Sequence, residues 1–169
     1  MTHADIVRQF GSQLQNIAKW LDKAESHAKA KKFDVDVLAG ARLAPDAFSL
    51  VQQVQAACDQ AKFAAAYLTG AKAPSHPDTE KTIGELRQRI ATCTAYLASV
   101  DDKAFAGSET RKVAPPWLEG KWFHGDDYVV GLAIPNFNFH LTMTYAILRH
   151  NGVELGKMDF IGGLKIQDA

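Results

Sequence analysis

Leu132-Ala133-Ile134-Pro135-Asn136-Phe137-Asn138-Phe139-His140, running on through Thr144-Tyr145 to Arg149-His150-Asn151-Gly152, is the stretch on which the fold turns. Its apolar residues fall all round a helical cylinder rather than on one stripe, the pattern of a helix enclosed by a core. Asn136, His140 and Thr144 recur every four residues, so one face carries hydrogen-bonding groups into that interior. The helix opens at Gly125-Asp126-Asp127, where carboxylates favour the positive end of the dipole. It closes on basic Arg149-His150 and then Asn151-Gly152, a stop signal. Pro135 would clash with the carbonyl of Gly131 at a cost of about 3 kcal/mol, which predicts a kink near Gly131–Pro135.

Three further helices precede it. Ile6, Phe10, Leu14, Ile17, Leu21 and Ala24 recur at three and four, which predicts a first helix over 5–31. Asp46 after Pro45 is a start signal for a second helix reaching Leu68 and closed by Gly70. Its many alanines make it thin, so a neighbour can approach closely. Pro74 and Pro77 mark a loop, and Ile83, Leu86, Ile90, Cys93 and Leu97 set a third helix that stops near Val100. The helical period then vanishes, leaving a non-helical insert over 107–124, a small hairpin or a structured loop. Its Trp117, Trp122 and Phe123 need something to bury them, the open end of the bundle or a partner subunit. The tail from Leu155 to Gly163 is expected to be extended and to pack through Met158, Phe160 and Ile161. The expected architecture is therefore an all-α four-helix bundle in a single domain over 1–169.

Composition narrows the function. Lys plus Arg equals Asp plus Glu at 19 each, so no positive excess exists to drive binding to a phosphate backbone, and nucleic acid is not an expected partner. No apolar run approaches the roughly 20 residues that cross a bilayer, and the N-terminus lacks the pattern of a signal peptide. Cys58 and Cys93 stand alone on apolar stripes, forming neither a disulfide framework nor a zinc knuckle. Buried, inert thiols and a cytoplasmic location are expected.

The run from Pro135 to His140, together with Tyr145-Ala146-Ile147-Leu148-Arg149-His150-Asn151-Gly152, resembles the DinB/YfiT-like superfamily, in the branch catalogued as domain of unknown function 1993. Arg42-Leu43-Ala44-Pro45-Asp46 and Gln53 to Lys62 resemble the same branch, so the likeness covers nearly the whole chain. The resemblance implies a four-helix bundle, an up-down-down-up path, frequent homodimers and no established activity. The short connection between Leu68 and Ile83, taken alone, argues instead for antiparallel second and third helices. We adopt the path that the resemblance implies.

Better-known DinB relatives hold a divalent metal with three histidines, one from the second helix and two from the fourth as His-x-x-x-His. Only His140 matches here: Thr144 stands four residues on, Asn136 four residues back, and the second helix has no histidine. One imidazole, even joined by Asp59, falls short of the three protein ligands of a catalytic zinc site. No metal or other cofactor is expected, beyond a divalent ion weakly held through His140. The candidate site is a pocket between the second and fourth helices formed by Gln55, Asp59, Asn136, His140, Thr144 and Tyr145. Each member also has a plainer reading: His140 as a buried ring satisfied by Asp59 or Asn136, Asp59 as a partner of Lys62, Tyr145 as core. The pocket suits a small-molecule binding or accessory protein with a degenerate metal site. A metal- or thiol-dependent transferase or hydrolase using His140, and a non-catalytic dimeric scaffold, are the alternatives.

Overall fold

The computed structural model describes residues 1–164, 166 and 167, so the three other positions of the expected 1–169 domain lie outside it. Helix α1 spans His3–Lys31, α2 spans Leu50–Thr69 and α3 spans Ile83–Ser99. Each begins with a capping box, Thr2 with Asp5, Ser49 with Gln52 and Thr82 with Glu85, in which side chains satisfy otherwise unpaired N–H groups at both positions. The second helix is thus capped three residues later than the Asp46 signal suggested. Ser49 supplies the stronger cap because Gln52 stands three residues on and returns the bond.

The fourth helical segment is continuous in direction but not in type. It runs as α4 (Gly125–Tyr128), a π-helical turn over Val129–Ala133 and α5 (Ile134–His150). The Ile134 N–H bonds back to the Val129 carbonyl, five residues away. The wider turn lies just ahead of Pro135, which has no N–H to give. At the position expected to kink, the helix inserts a bulge.

Side-chain contacts fix the helix directions. Asp22 of α1 meets Arg87 of α3, and Arg8, earlier in α1, meets Asp102 just past the end of α3, so these two run antiparallel. Along α1 and the fourth segment, His3 meets Asp126, Phe10 stacks on Phe137 and Trp20 meets Tyr145, a parallel order. Between α2 and that segment, Gln53 meets His140 and Tyr67 meets Tyr128, which is antiparallel. The path is therefore up-down-down-up. Helices α2 and α3 run parallel, and residues 70–82 travel back along the bundle to join them. Thirteen extended residues reach about 43 Å at roughly 3.3 Å each, ample for a helix of 20 residues at about 1.5 Å each.

The core lies between these four helices, with Leu14, Ile17, Leu21, Val54, Ala61, Leu86, Phe137 and Leu141 all sealed from solvent. Alanines 57, 61, 64 and 65 of α2 are fully buried, and α2 touches α1, α3 and α5. The last segment is less enclosed than its composition suggested. Val130 is 72% and Phe139 55% exposed, so the inward face is Phe137, His140, Leu141, Thr144, Ile147 and Leu148.

The insert contains a two-residue hairpin, β1 (Lys112–Val113) against antiparallel β2 (Phe123–His124). Trp117 and Trp122 stay 63% and 44% exposed, while Phe123 leans on Tyr128. The tail forms a short helix, α6 (Lys157–Ile161), rather than the expected extended segment, because Asp159 caps the Gly156 N–H. It docks on α1 through the Trp20 indole, which donates to the Asp159 carbonyl at 3.0 Å, and through Phe160 stacked on Trp20. Met158 points outward instead of packing. Among the described residues, no helix is long and apolar enough to cross a membrane.

Candidate functional site

Gln53 of α2 lies one turn inside the Ser49 cap and faces the fourth segment with 1% of its surface exposed. Its amide nitrogen points to the Phe48 carbonyl at 3.5 Å, which turns its oxygen toward His140 Nδ1 at 2.8 Å. Nδ1 is then the protonated nitrogen, and it donates. Nε2 keeps its lone pair and has no partner among the described residues. Burial lowers the His140 pKa below the ordinary histidine value, so the ring is neutral at pH 7. Phe48 stacks on one face of the imidazole at 6.2 Å and Phe139 meets it edge-on at 5.2 Å.

His140 forms part of the wall of a groove of about 590 Å³ between α2 and the 70–82 connection. Gln55 and Asp59 line the same groove, as the sequence suggested, joined by Phe48, Phe63 and Glu80. The other expected members are placed elsewhere. Asn136 lines an adjoining cleft with Trp117, Tyr128 and Leu132, which shares Gln60 and Phe63 with the groove. Thr144 is fully buried and donates to the His140 carbonyl at 2.9 Å, leaving its hydroxyl unavailable to a ligand. Tyr145 faces α1 and α6, stacks edge-on against Trp20 and Phe160, and donates to the Leu155 carbonyl at 3.3 Å. Four-residue spacing keeps Asn136 and Thr144 near the face of His140, but a helix face is wider than one pocket, and Tyr145 lies off that spacing.

Beneath the groove lies a charged cluster. Asp59 Oδ1 accepts from Lys62 Nζ and from Arg89 Nη2, both at 2.7 Å. Arg89, whose side chain is 2% exposed, also donates to Asp78 and to Glu80 at 3.1 Å and to the Pro77 carbonyl at 3.2 Å. Gln55 Nε2 donates to the other Glu80 oxygen at 2.8 Å. Burial would raise the Glu80 pKa, but the Gln55 and Arg89 bonds outweigh it and hold the carboxyl below the ordinary glutamate value. Burial likewise opposes the Arg89 charge, and Asp59 and Glu80 overcome it. The expected Asp59–Lys62 pair is therefore present as part of a larger network. Gln53, not Asp59 or Asn136, satisfies His140.

The ligand set does not fit a DinB metal. At the place where a second-helix ligand would have to face His140, this chain presents an amide, and Asp59 is already held by two cations. Among the described residues, no group of three His, Cys, Asp or Glu side chains converges to hold a metal ion.

Two other constellations are structural. Ser108 Oγ lies 2.8 Å from His3 Nδ1, and Asp126 Oδ1 lies 3.0 Å from His3 Nε2, the order of a Ser-His-Asp relay. The hydroxyl is sealed at 1% exposure while the carboxylate faces water, the reverse of what nucleophilic attack on a substrate requires. These residues pin the N-terminus to the insert and to α4. Cys58 and Cys93 are both fully buried, and Cys93 Sγ donates to the Cys58 carbonyl at 3.2 Å across the parallel α2–α3 face. The hydrogen bond with Cys93, and then burial, push the Cys58 thiol well above its ordinary pKa.

A bundle with this path, and a groove against the fourth segment, is a DinB-like fold. A crystal structure of a DinB family member protein from Shewanella denitrificans matches it with a TM-score of 0.93 and 46% sequence identity, over 96% of this chain and 93% of that one. The pattern described as "Domain of unknown function (DUF1993)" matches residues 3–161, and the chain belongs to that family. No curated protein matches it.

Proposed function

We propose that this protein is a small-molecule binding or accessory protein whose ligand lies in the groove between α2 and the 70–82 connection, beside His140, at a degenerate metal site. One observation carries the reading: a nearly buried, neutral His140 whose Nδ1 is fixed by Gln53 presents an unused Nε2 to a 590 Å³ groove. Phe48, Val51, Ala56 and Phe63 give the groove apolar wall, and the polar side chains beside them can orient a ligand. The amide opposite His140 and the absence of a three-ligand cluster among the described residues support a role without a resident metal. A thermal-shift screen of metals, thiols and metabolites on wild type and His140→Ala tests it. A compound that stabilises wild type and not the variant supports the site; a screen in which no compound separates the two proteins removes it.

The same Nε2 favours one alternative, a transferase or hydrolase in which His140 is a general base, since a neutral imidazole with a free lone pair can take a proton. Turnover of a thiol with an electrophile, lost in His140→Ala, would establish it. A homodimer belongs to the same proposal. Phe139 and Trp117 are 55% and 63% exposed, and a second copy would cover such side chains. Light scattering should return the mass of two 18.5 kDa chains; the mass of one would overturn it.

A further inference from the structure

The open hydrogen-bonding atoms of the groove are unevenly divided between donors and acceptors, and that imbalance points to a ligand class. Five acceptors of the lining side chains have no protein partner among the described residues, namely His140 Nε2, Gln55 Oε1, Gln60 Oε1 and the second oxygens of Asp59 and Asp78, against two open donors, the amide nitrogens of Gln52 and Gln60. His140 and Gln55 are both more than nine-tenths buried, at 9% and 8% exposure, and both line the groove. The cations do not balance them. Arg89 is committed to Asp59, Asp78 and Glu80, and Lys62 to Asp59, and neither lines the groove. Three carboxylates against two cations leave one net negative charge at a partly desolvated wall, where charge counts for more than in water.

The apolar walls have a matching character. Phe48 stands over His140, and Phe63 already carries the Lys62 ammonium at 4.6 Å from its ring centroid. Aromatic faces attract cations through the ring quadrupole, most strongly where water is excluded. Resting on the binding-site reading above, we propose that the ligand is an organic cation, a protonated amine attached to a small flat or apolar group. The ammonium lies at the carboxylate end of the groove and donates to Asp78, and the flat or apolar group lies along Phe48 and Phe63 beside His140. A carboxylate or phosphate of the same size would find only the Gln52 and Gln60 amides as open donors and would face the net negative wall.

Three isosteric probes test this: phenethylamine, 2-phenylethanol and phenylacetate, each titrated into the full chain and followed by amide and imidazole NMR signals. Phenethylamine should shift Gln55, Gln60 and the His140 ring with an affinity about tenfold above that of 2-phenylethanol, and phenylacetate should shift none of them. Asp78→Asn, at a residue whose side chain is 55% exposed and whose loss leaves Arg89 two other carboxylates, should close most of that gap without unfolding the protein. If the alcohol or the acid shifts the same residues as tightly as the amine, the cation assignment is overturned and the groove remains a binding site. If no probe shifts these residues at about ten millimolar, both readings fail. Shifts confined to another face would also overturn the assignment.

Discussion

Arg89 of α3 holds Asp59 of α2 at 2.7 Å although 30 residues separate them, because the two helices run side by side in the same direction. With 2% of its side chain exposed, Arg89 cannot shed its charge to water, and its carboxylate partners at Asp59 and Glu80 are mostly enclosed. Truncating one member of a buried ionic network leaves the others uncompensated. Arg89→Ala should therefore cost about 3–5 kcal/mol in urea denaturation, whereas Arg8→Ala, at a surface pair with Asp5, should cost about 0–1 kcal/mol.

Glu80 makes stability depend on pH in a definite direction. Burial opposes its charge, but Gln55 and Arg89 hold its carboxyl below the ordinary value when the protein is folded. Its contribution is complete above the ordinary glutamate range of about 4.3, where folded and unfolded chains are both ionised. Below that range the unfolded chain takes up the proton first, and the contribution fades until the pH passes the folded value. Glu80→Gln should lower stability at pH 7 and flatten the acid limb of a stability-versus-pH curve; an unchanged limb would contradict the assignment.

Phe137 and Phe139 sit two residues apart and have opposite fates. Phe137 is fully buried against Phe10 at 4.3 Å, and Phe139 is 55% exposed. Phe137→Ala should cost about 3–5 kcal/mol. Phe139→Ala should stay within about 0.5 kcal/mol in the folded monomer, and a larger loss that depends on protein concentration would mark Phe139 as an interface residue.

Gly125 opens the fourth segment so close to the insert that a Cβ there would stand 1.8 Å from the Ser108 carbonyl oxygen. That oxygen belongs to backbone and cannot swing aside. Gly125→Ala should cost about 1–3 kcal/mol by overpacking, read as a lower urea midpoint with an unchanged slope, while Gly84→Ala, which meets nothing nearby, should be neutral or stabilising.

Elemental analysis of the purified protein should find far less than one zinc, nickel or iron per chain, because a single imidazole is a weak site. His140→Ala should leave that content unchanged. Close to one metal per chain, lost in the variant, would overturn the reading of His140 as a ligand-facing acceptor.

Much of this was readable from residue type and spacing, and the exceptions share a cause. The three long periods, the loop at Pro74–Pro77 and the non-helical insert are local properties, and the structure contains them. The Ser49–Gln52 box was equally local and was masked by the nearer signal at Asp46. Gln53 was missed because a glutamine on an alanine-rich helix has no signal of its own until the opposite helix supplies a histidine. Arg89 reads as an ordinary exposed helix residue between Gln88 and Ile90, and only the parallel α2–α3 path turns it inward upon Asp59. Tyr145 has a hydroxyl that could serve a ligand, but it follows Thr144 directly, and adjacent helical residues lie about 100° apart and face different neighbours.

The return of the chain along residues 70–82 also bears on how the protein folds. Of the three consecutive helix pairs, α2 and α3 are parallel and cannot zip up from a tight turn, and α3 and α5 sit on opposite sides of the bundle. Many closures must therefore bring together segments far apart along the chain: Asp22 with Arg87, Phe10 with Phe137, Gln53 with His140. Long-range closures of this kind raise contact order, and the search for them limits how fast a chain can fold. An all-helical protein of this topology should reach its native state more slowly than an up-and-down bundle of equal length, for a reason that lies in the route of its connections and not in the strength of its helices.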